Sequence, residues 1–164
     1  MSKAKKAVPD GYRTITPTLT LDDASRAIDW YKKALGAEEL SRFTGPDGKI
    51  MHAELKVGDS RIMLNDPIMG NKGPKALGGS PTSLWVFVED CDAFFNRAVA
   101  AGGQVKLPLS EQFWGDRMGA FVDPHGYSWS VATRKEDLTK EEMDRRGAEF
   151  FKQSALKQQQ PVHS

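Results

Sequence analysis

The sequence predicts an α+β protein built from two βαβββ modules, and three observations carry that prediction. Short runs of alternating polar and apolar residues recur along the chain, and each group of such runs surrounds one helical pattern bounded by capping residues. The second group repeats the first at a constant spacing: Asp23 and Asp90, Ile28 and Phe95, and Gly36 and Gly103 are all 67 residues apart. With 39% hydrophobic and 27% charged residues over 164 positions, the chain can bury a core without help from disulfides or a structural metal.

Residues 1–12 end in the turn signal Pro9-Asp10-Gly11 and carry lysines with nothing to bury, so a flexible lead is expected there. From Arg13 to Leu21 the chain reads RTITPTLTL, a strand with a threonine face that includes Thr16 and Thr18. Pro17 has no N–H to give a second neighbour, which predicts an edge strand. Asp22 or Asp23 then caps an amphipathic helix whose Ala24, Ala27, Ile28, Tyr31, Ala34 and Leu35 share a face, and Gly36 ends it. Alternating runs at 37–45, 49–57 and 61–66 complete module one (13–66), with Gly45-Pro46-Asp47-Gly48 and Gly58-Asp59 as hairpin turns.

Residues 67–80 are rich in Gly, Pro, Lys and Asn and read as a linker without a packing pattern. Module two (81–134) begins with an apolar strand at 83–89 containing Ser83 and Trp85. Asp90 caps a helix with Cys91, Phe94, Phe95, Ala98 and Val99 on one side, ended by Gly102-Gly103, and strands at 104–113, 117–123 and 127–133 follow. The last two form a hairpin over Trp114–Ala132, turned at Asp123-Pro124-His125-Gly126. Residues 135–164 are predicted as a C-terminal helix with a Thr139/Glu142 capping box and a thin stripe of Met143, Gly147, Phe150 and Phe151, then a disordered tail from Gln153.

Lys plus Arg total 23 against 22 Asp plus Glu, so nothing in the charge predicts nucleic acid or an anionic membrane as a partner. No run is long enough to span a bilayer, and the N-terminus lacks a signal-like apolar stretch, which predicts a cytoplasmic protein. Cys91 stands alone inside an apolar helical pattern and reads as a small core residue. No Ser-His-Asp set, phosphate loop or paired-carboxylate spacing is evident.

The two modules, the helix text DDASRAIDWYKKALGAEEL and the closing DPHGYSW resemble the vicinal oxygen chelate superfamily, that of glyoxalase, bleomycin-resistance proteins and dioxygenases. Within it, HAELKVGDSRIMLND, FWGDRMGAFVDPHGYSW and EEMDRRGAEFF resemble the PhnB-like branch. The resemblance implies the glyoxalase/bleomycin-resistance fold, an incompletely closed eight-stranded barrel around a cup-shaped pocket. It also implies a homodimer and, in the metal enzymes, one ligand on the first and fourth strands of each module. Those four positions fall on Thr16, Met63, Ser83 and Ser130, where hydroxyls and a thioether replace His and Glu. No metal and no cofactor are therefore expected.

The function this predicts is metal-independent binding or sequestration of a small organic ligand, with aromatic compounds as one class. The alternative is an enzyme of the same superfamily, of isomerase, lyase or dioxygenase type, that is metal-free or uses other ligands. His52 and Glu54, two apart on one strand face, are the catalytic candidates and are equally readable as a polar pair satisfying each other. The expected lining is Thr16, Thr18, His52, Glu54, Met63, Asn65, Ser83, Trp85, Trp114, Arg117 and Ser130. Trp85 and Trp114 offer stacking surfaces, against a competing role in the core. Arg117 offers a cation, unless it only pairs with Asp116. Trp30 and Trp129 are expected in the core, and His125 in solvent at the hairpin tip.

Overall fold

A computed structural model describes residues 6–158. Module one is β1 (Thr18–Thr20), α1 (Ala24–Leu35), β2 (Glu38–Thr44), β3 (Ile50–Val57) and β4 (Ser60–Asn65). A short helix α2 (Pro74–Leu77) leads to module two: β5 (Ser83–Phe87), α3 (Cys91–Ala100), β6 (Gln104–Glu111), β7 (Asp116–Val122) and β8 (Ser128–Arg134). The chain closes with α4 (Lys140–Gln158).

Each module is one four-stranded sheet, ordered β1-β4-β3-β2 and β5-β8-β7-β6, in which the first and last strands of the module pair in parallel. The repeat is visible in the register, since Thr18 lies beside Met63 and Trp85 beside Ser130 at equivalent places. No strand ladder joins the sheets among the described residues, so the barrel stays open between them. Contact across that opening comes from Tyr127, whose hydroxyl donates to the Thr20 carbonyl and accepts from the Thr20 N–H, both at 3.1 Å.

The helices pack between the modules and exchange equivalent bonds. Trp30 Nε1 on α1 donates to the Ala101 carbonyl at the end of α3 (2.8 Å), and Arg97 Nε on α3 donates to the Ala34 carbonyl at the end of α1 (2.9 Å). The 67-residue offset carries Trp30 onto Arg97 and Ala34 onto Ala101, so the repeat folds about a local pseudo-two-fold axis at this contact. Ile28, Tyr31, Leu55, Leu64, Phe121 and Val131 are fully enclosed beside it. Asp23 accepts from Arg26 N, and Gly36 takes the left-handed conformation at φ 66°, as the capping pattern predicts.

Four expectations are corrected. β1 begins at Thr18 rather than near Arg13, because Pro17 brings only a carbonyl to the pairing and receives the Met63 N–H on it at 2.9 Å. The linker is not without packing: α2 starts on a proline, and Pro74 sits so close to Gly126 that a Cβ there would lie 2.8 Å away. The C-terminal helix runs on through 153–158, while 159–164, like residues 1–5 of the lead, lie outside the described residues. His125 is half-buried beside the Tyr31 ring rather than solvated, and that desolvation lowers its pKa.

Candidate functional site

Alternation along the strands sends one set of side chains into the helix-packed core and leaves the other set on the opposite face of each sheet. In module one the second set includes Thr18 on β1, His52 and Glu54 on β3, and Met63 and Asn65 on β4. Thr18 Oγ1 approaches Met63 Sδ at 3.8 Å, and Asn65 Nδ2 donates to Thr20 Oγ1 at 3.3 Å. His52 Nε2 and Glu54 Oε1 are 3.2 Å apart, with the Arg61 guanidinium 3.5 Å from the other carboxylate oxygen. Arg61 in turn stacks on the Tyr12 ring at 4.7 Å, which ties the end of the N-terminal lead to this sheet.

The Tyr12 hydroxyl beside Glu54 holds its carboxyl below the usual carboxylate range, and His52 and Arg61 act in the same direction. Among the described residues that hydroxyl makes no hydrogen bond of good geometry, so it acts as a nearby dipole rather than as a formed bond. Glu54 is thus an ionised group already engaged by the Arg61 guanidinium and a ring nitrogen.

In module two the corresponding face carries Ser83, Trp85 and Phe87 from β5 and Ser128, Ser130 and Ala132 from β8. It is more apolar, and Trp85 (47% exposed) and Phe87 (62% exposed) stand open on it while Ser130 is buried beneath. Trp114 and Arg117 do not join this group. Trp114 Nε1 donates to Asp116 Oδ2 at 2.9 Å, and its ring packs edge-on against Phe113, which rests on Phe150 of α4. Arg117 does not pair with Asp116: it points to the helix side and grips Asp92 with two bonds of 2.7 Å. A guanidinium so engaged is not the free cation the hairpin sequence offered.

A crevice of about 820 Å³ lies between the modules. Arg13, Ile15, Thr16 and Pro17, which lead into β1, line one side, and every residue from Leu84 to Val88 lines another, so one wall is the unpaired edge of β5. Phe94, Trp129 and Leu35 add apolar floor, and Arg13, Arg61 and Arg97 stand around it. Of the predicted lining, Thr16 and Trp85 reach this crevice. Arg13, Phe87 and Arg97 were missed, although Arg97 occupies the repeat position of Trp30 and so breaks the expected match of the two helices.

The metal positions implied by the fold family do not fit a divalent ion. Thr16, Met63, Ser83 and Ser130 supply neutral hydroxyls and a thioether, and the described residues contain no group of three or more His, Cys, Asp or Glu able to hold one.

Comparison with known proteins agrees with this architecture. The profile of the Glyoxalase/Bleomycin resistance protein/Dioxygenase superfamily matches residues 14–131. The Mycobacterium bovis protein Mb0911c is 42% identical over 134 residues, covering 79% of this chain and 88% of its own length. Among solved structures, TioX from Micromonospora superposes with a TM-score of 0.58 at 29% identity, over 77% of this chain and all of that one. The PhnB protein from Bacillus cereus shares the fold with a TM-score of 0.60 at 22% identity, over 74% of this chain and 99% of that one. With a profile that spans both βαβββ modules and a close relative along most of its length, the chain belongs to the glyoxalase/bleomycin resistance/dioxygenase superfamily.

Proposed function

We propose that the protein binds a small organic molecule without a metal, in the crevice between its modules. The observation that carries this reading is the crevice itself, whose volume suits a drug-sized ligand and whose apolar floor meets a few polar groups. Trp85 stands at its edge, half-exposed and tilted against Phe87 at 6.0 Å between ring centroids, and offers a stacking surface to a planar guest. The hydroxyls at the implied metal positions support binding without a cofactor, and the lone buried Cys91 is consistent with a cytoplasmic setting.

In a fluorescence screen of planar aromatic compounds, hits are expected with micromolar affinity, about −8 kcal/mol. Trp85→Ala should weaken them by roughly 1 to 2 kcal/mol through the lost stacking. Chelator should leave the affinity unmoved. Trp129→Ala should lower stability as well as affinity, because Trp129 lies on the crevice floor and is buried and bonded to Asp123. Hits that bind the Trp85→Ala variant as tightly as wild type would place the ligand elsewhere, and one metal ion per chain that is needed for binding would overturn the metal-free reading.

The part-buried His52–Glu54 pair favours a second reading, a metal-free enzyme in which His52, oriented by the carboxylate, moves a proton. Turnover of a hit that is lost in His52→Ala, with binding retained, would select it.

We also propose a homodimer. Phe150 and Phe151 on α4 are 46% and 66% exposed, an apolar patch whose inner side already rests on Phe113. A second copy of the chain is the occupant this reading assigns to it. Light scattering at micromolar concentration should give twice the chain mass, and Phe150→Asp combined with Phe151→Asp should return it to the monomer. A monomeric wild type would remove the proposal.

A further inference from the structure

We infer that the inter-module crevice selects an amphipathic organic anion, a carboxylate or sulfonate head on an apolar body, with Arg97 and Arg13 as its anchors. This rests on the crevice being the binding site. The lining contains three arginines and one carboxylate, Asp59, which already accepts from Ser60 Oγ at 3.0 Å. Arg61 is spoken for by Glu54 and the Tyr12 ring. Arg13 makes no ion pair among the described residues, and Arg97 commits only its Nε, to the Ala34 carbonyl, leaving both Nη groups without a hydrogen bond among those residues.

Arg97 is also held in place before any ligand arrives. Its guanidinium is fixed at Nε and lies 5.3 Å from the centroid of the Phe94 ring, so little side-chain freedom is lost on binding. Gly36 makes room for it: a Cβ there would come within 3.3 Å of Nη2. A planar fork with free Nη donors is suited to two parallel bonds with a carboxylate. The floor residues Leu84, Val86, Val88, Phe94 and Trp129 offer such a head no polar side chain except the Trp129 indole N–H, which is used by Asp123, and the other polar groups of the lining, Thr16, Ser60 and the Trp85 indole, are neutral. The chemistry of the floor suits an aryl or alkyl body instead. The exposed Ile15 and Phe87 extend that apolar surface to the mouth.

Paired titrations with 2-naphthoate and its uncharged isostere 2-naphthamide test this, followed by calorimetry and tryptophan quenching at low salt and pH 7. The acid should bind roughly tenfold more tightly than the amide, the equivalent of about 1.4 kcal/mol. That advantage should shrink at 0.5 M salt, shrink in Arg13→Gln, and disappear in Arg13→Gln combined with Arg97→Gln. Arg97→Lys should retain part of it, since the charge stays while the fork is lost. Equal binding of acid and amide to wild type overturns the anion selectivity and leaves the small-molecule reading standing. Failure of both compounds and of every other aromatic hit to bind overturns both. The wild-type ratio needs no variant, so the outcome does not depend on the substituted proteins folding.

Discussion

Asp123→Ala is expected to lower stability by about 3 to 5 kcal/mol, because it removes the most heavily bonded buried side chain that joins the two modules. The carboxylate is 3% exposed and accepts four hydrogen bonds. Oδ2 receives the Tyr31 hydroxyl and the Trp129 indole N–H, both at 2.8 Å, and Oδ1 receives the backbone N–H groups of His125 (2.8 Å) and Tyr127 (3.0 Å). One side chain thus closes the β7–β8 turn and binds it to α1 of the other module. Alanine would leave four donors without an acceptor, most of them away from water. For a chain of this size the melting temperature should fall by roughly 10 °C. Asp123→Asn should lie between the two, because it keeps the shape but turns an NH2 toward donors.

Tyr31 gives the same hub a signature in pH. Burial, and then the Asp123 charge, push its hydroxyl well above the ordinary value of 10.0. Because the folded pKa is raised, the unfolded chain loses that proton first, so the contribution is complete below about pH 10 and is lost as pH rises beyond it. Alkaline melting curves should therefore fall less steeply for Tyr31→Phe than for wild type. A melting temperature for Asp123→Ala within 2 °C of wild type, which would correspond to less than about 1 kcal/mol, would show that the hub does not hold the modules together.

Asp66→Ala is expected to cost about 2 to 3 kcal/mol, less than the loss of Asp123 because two donors rather than four are stranded. Its carboxylate is 9% exposed and spans module one, taking the Ala24 N–H at the start of α1 (2.8 Å) and the Ile50 N–H at the start of β3 (2.7 Å). The equivalent place in module two, 67 residues on, is Thr133, whose hydroxyl takes the Cys91 N–H at the start of α3 (2.9 Å) and donates to the Val88 carbonyl (2.8 Å). A neutral hydroxyl in contact with one N–H and one carbonyl is worth less than a carboxylate on two N–H groups, so Thr133→Val should cost about 1 kcal/mol. If chemical denaturation finds Thr133→Val the more damaging of the two, the carboxylate is not what makes the first helix start the stronger.

Much of the fold was legible in order of sequence because the signals are local. Asp23, Asp90 and Thr139 cap helices by reaching three residues ahead, Gly36 ends α1 in a conformation its own backbone permits, and the β7–β8 hairpin turns where Pro124 and Gly126 allow it. The 67-residue repeat exposed the two modules because equivalent packing demands equivalent apolar spacing. Alternation likewise put Thr18, His52, Glu54, Met63 and Asn65 on one sheet face, as they are found.

Only the tertiary structure decided who faces whom. Arg117 met Asp92 rather than its neighbour Asp116, since adjacent residues on a strand point to opposite faces while a helix packed on that face can bring a carboxylate within reach. Trp114 was taken by Asp116 and the aromatic cluster under α4. The crevice, with Arg97 anchored on the end of α1, depends on how two modules pack about their helices, and Asp123 joins groups from Tyr31 to Trp129 that no local pattern relates. Periodicity in the chain determines which face a side chain takes, because a strand repeats every second residue and a helix every 3.6. It carries no term for the distance between faces of separate modules, and the charge and cavity of a site between them are set by that distance.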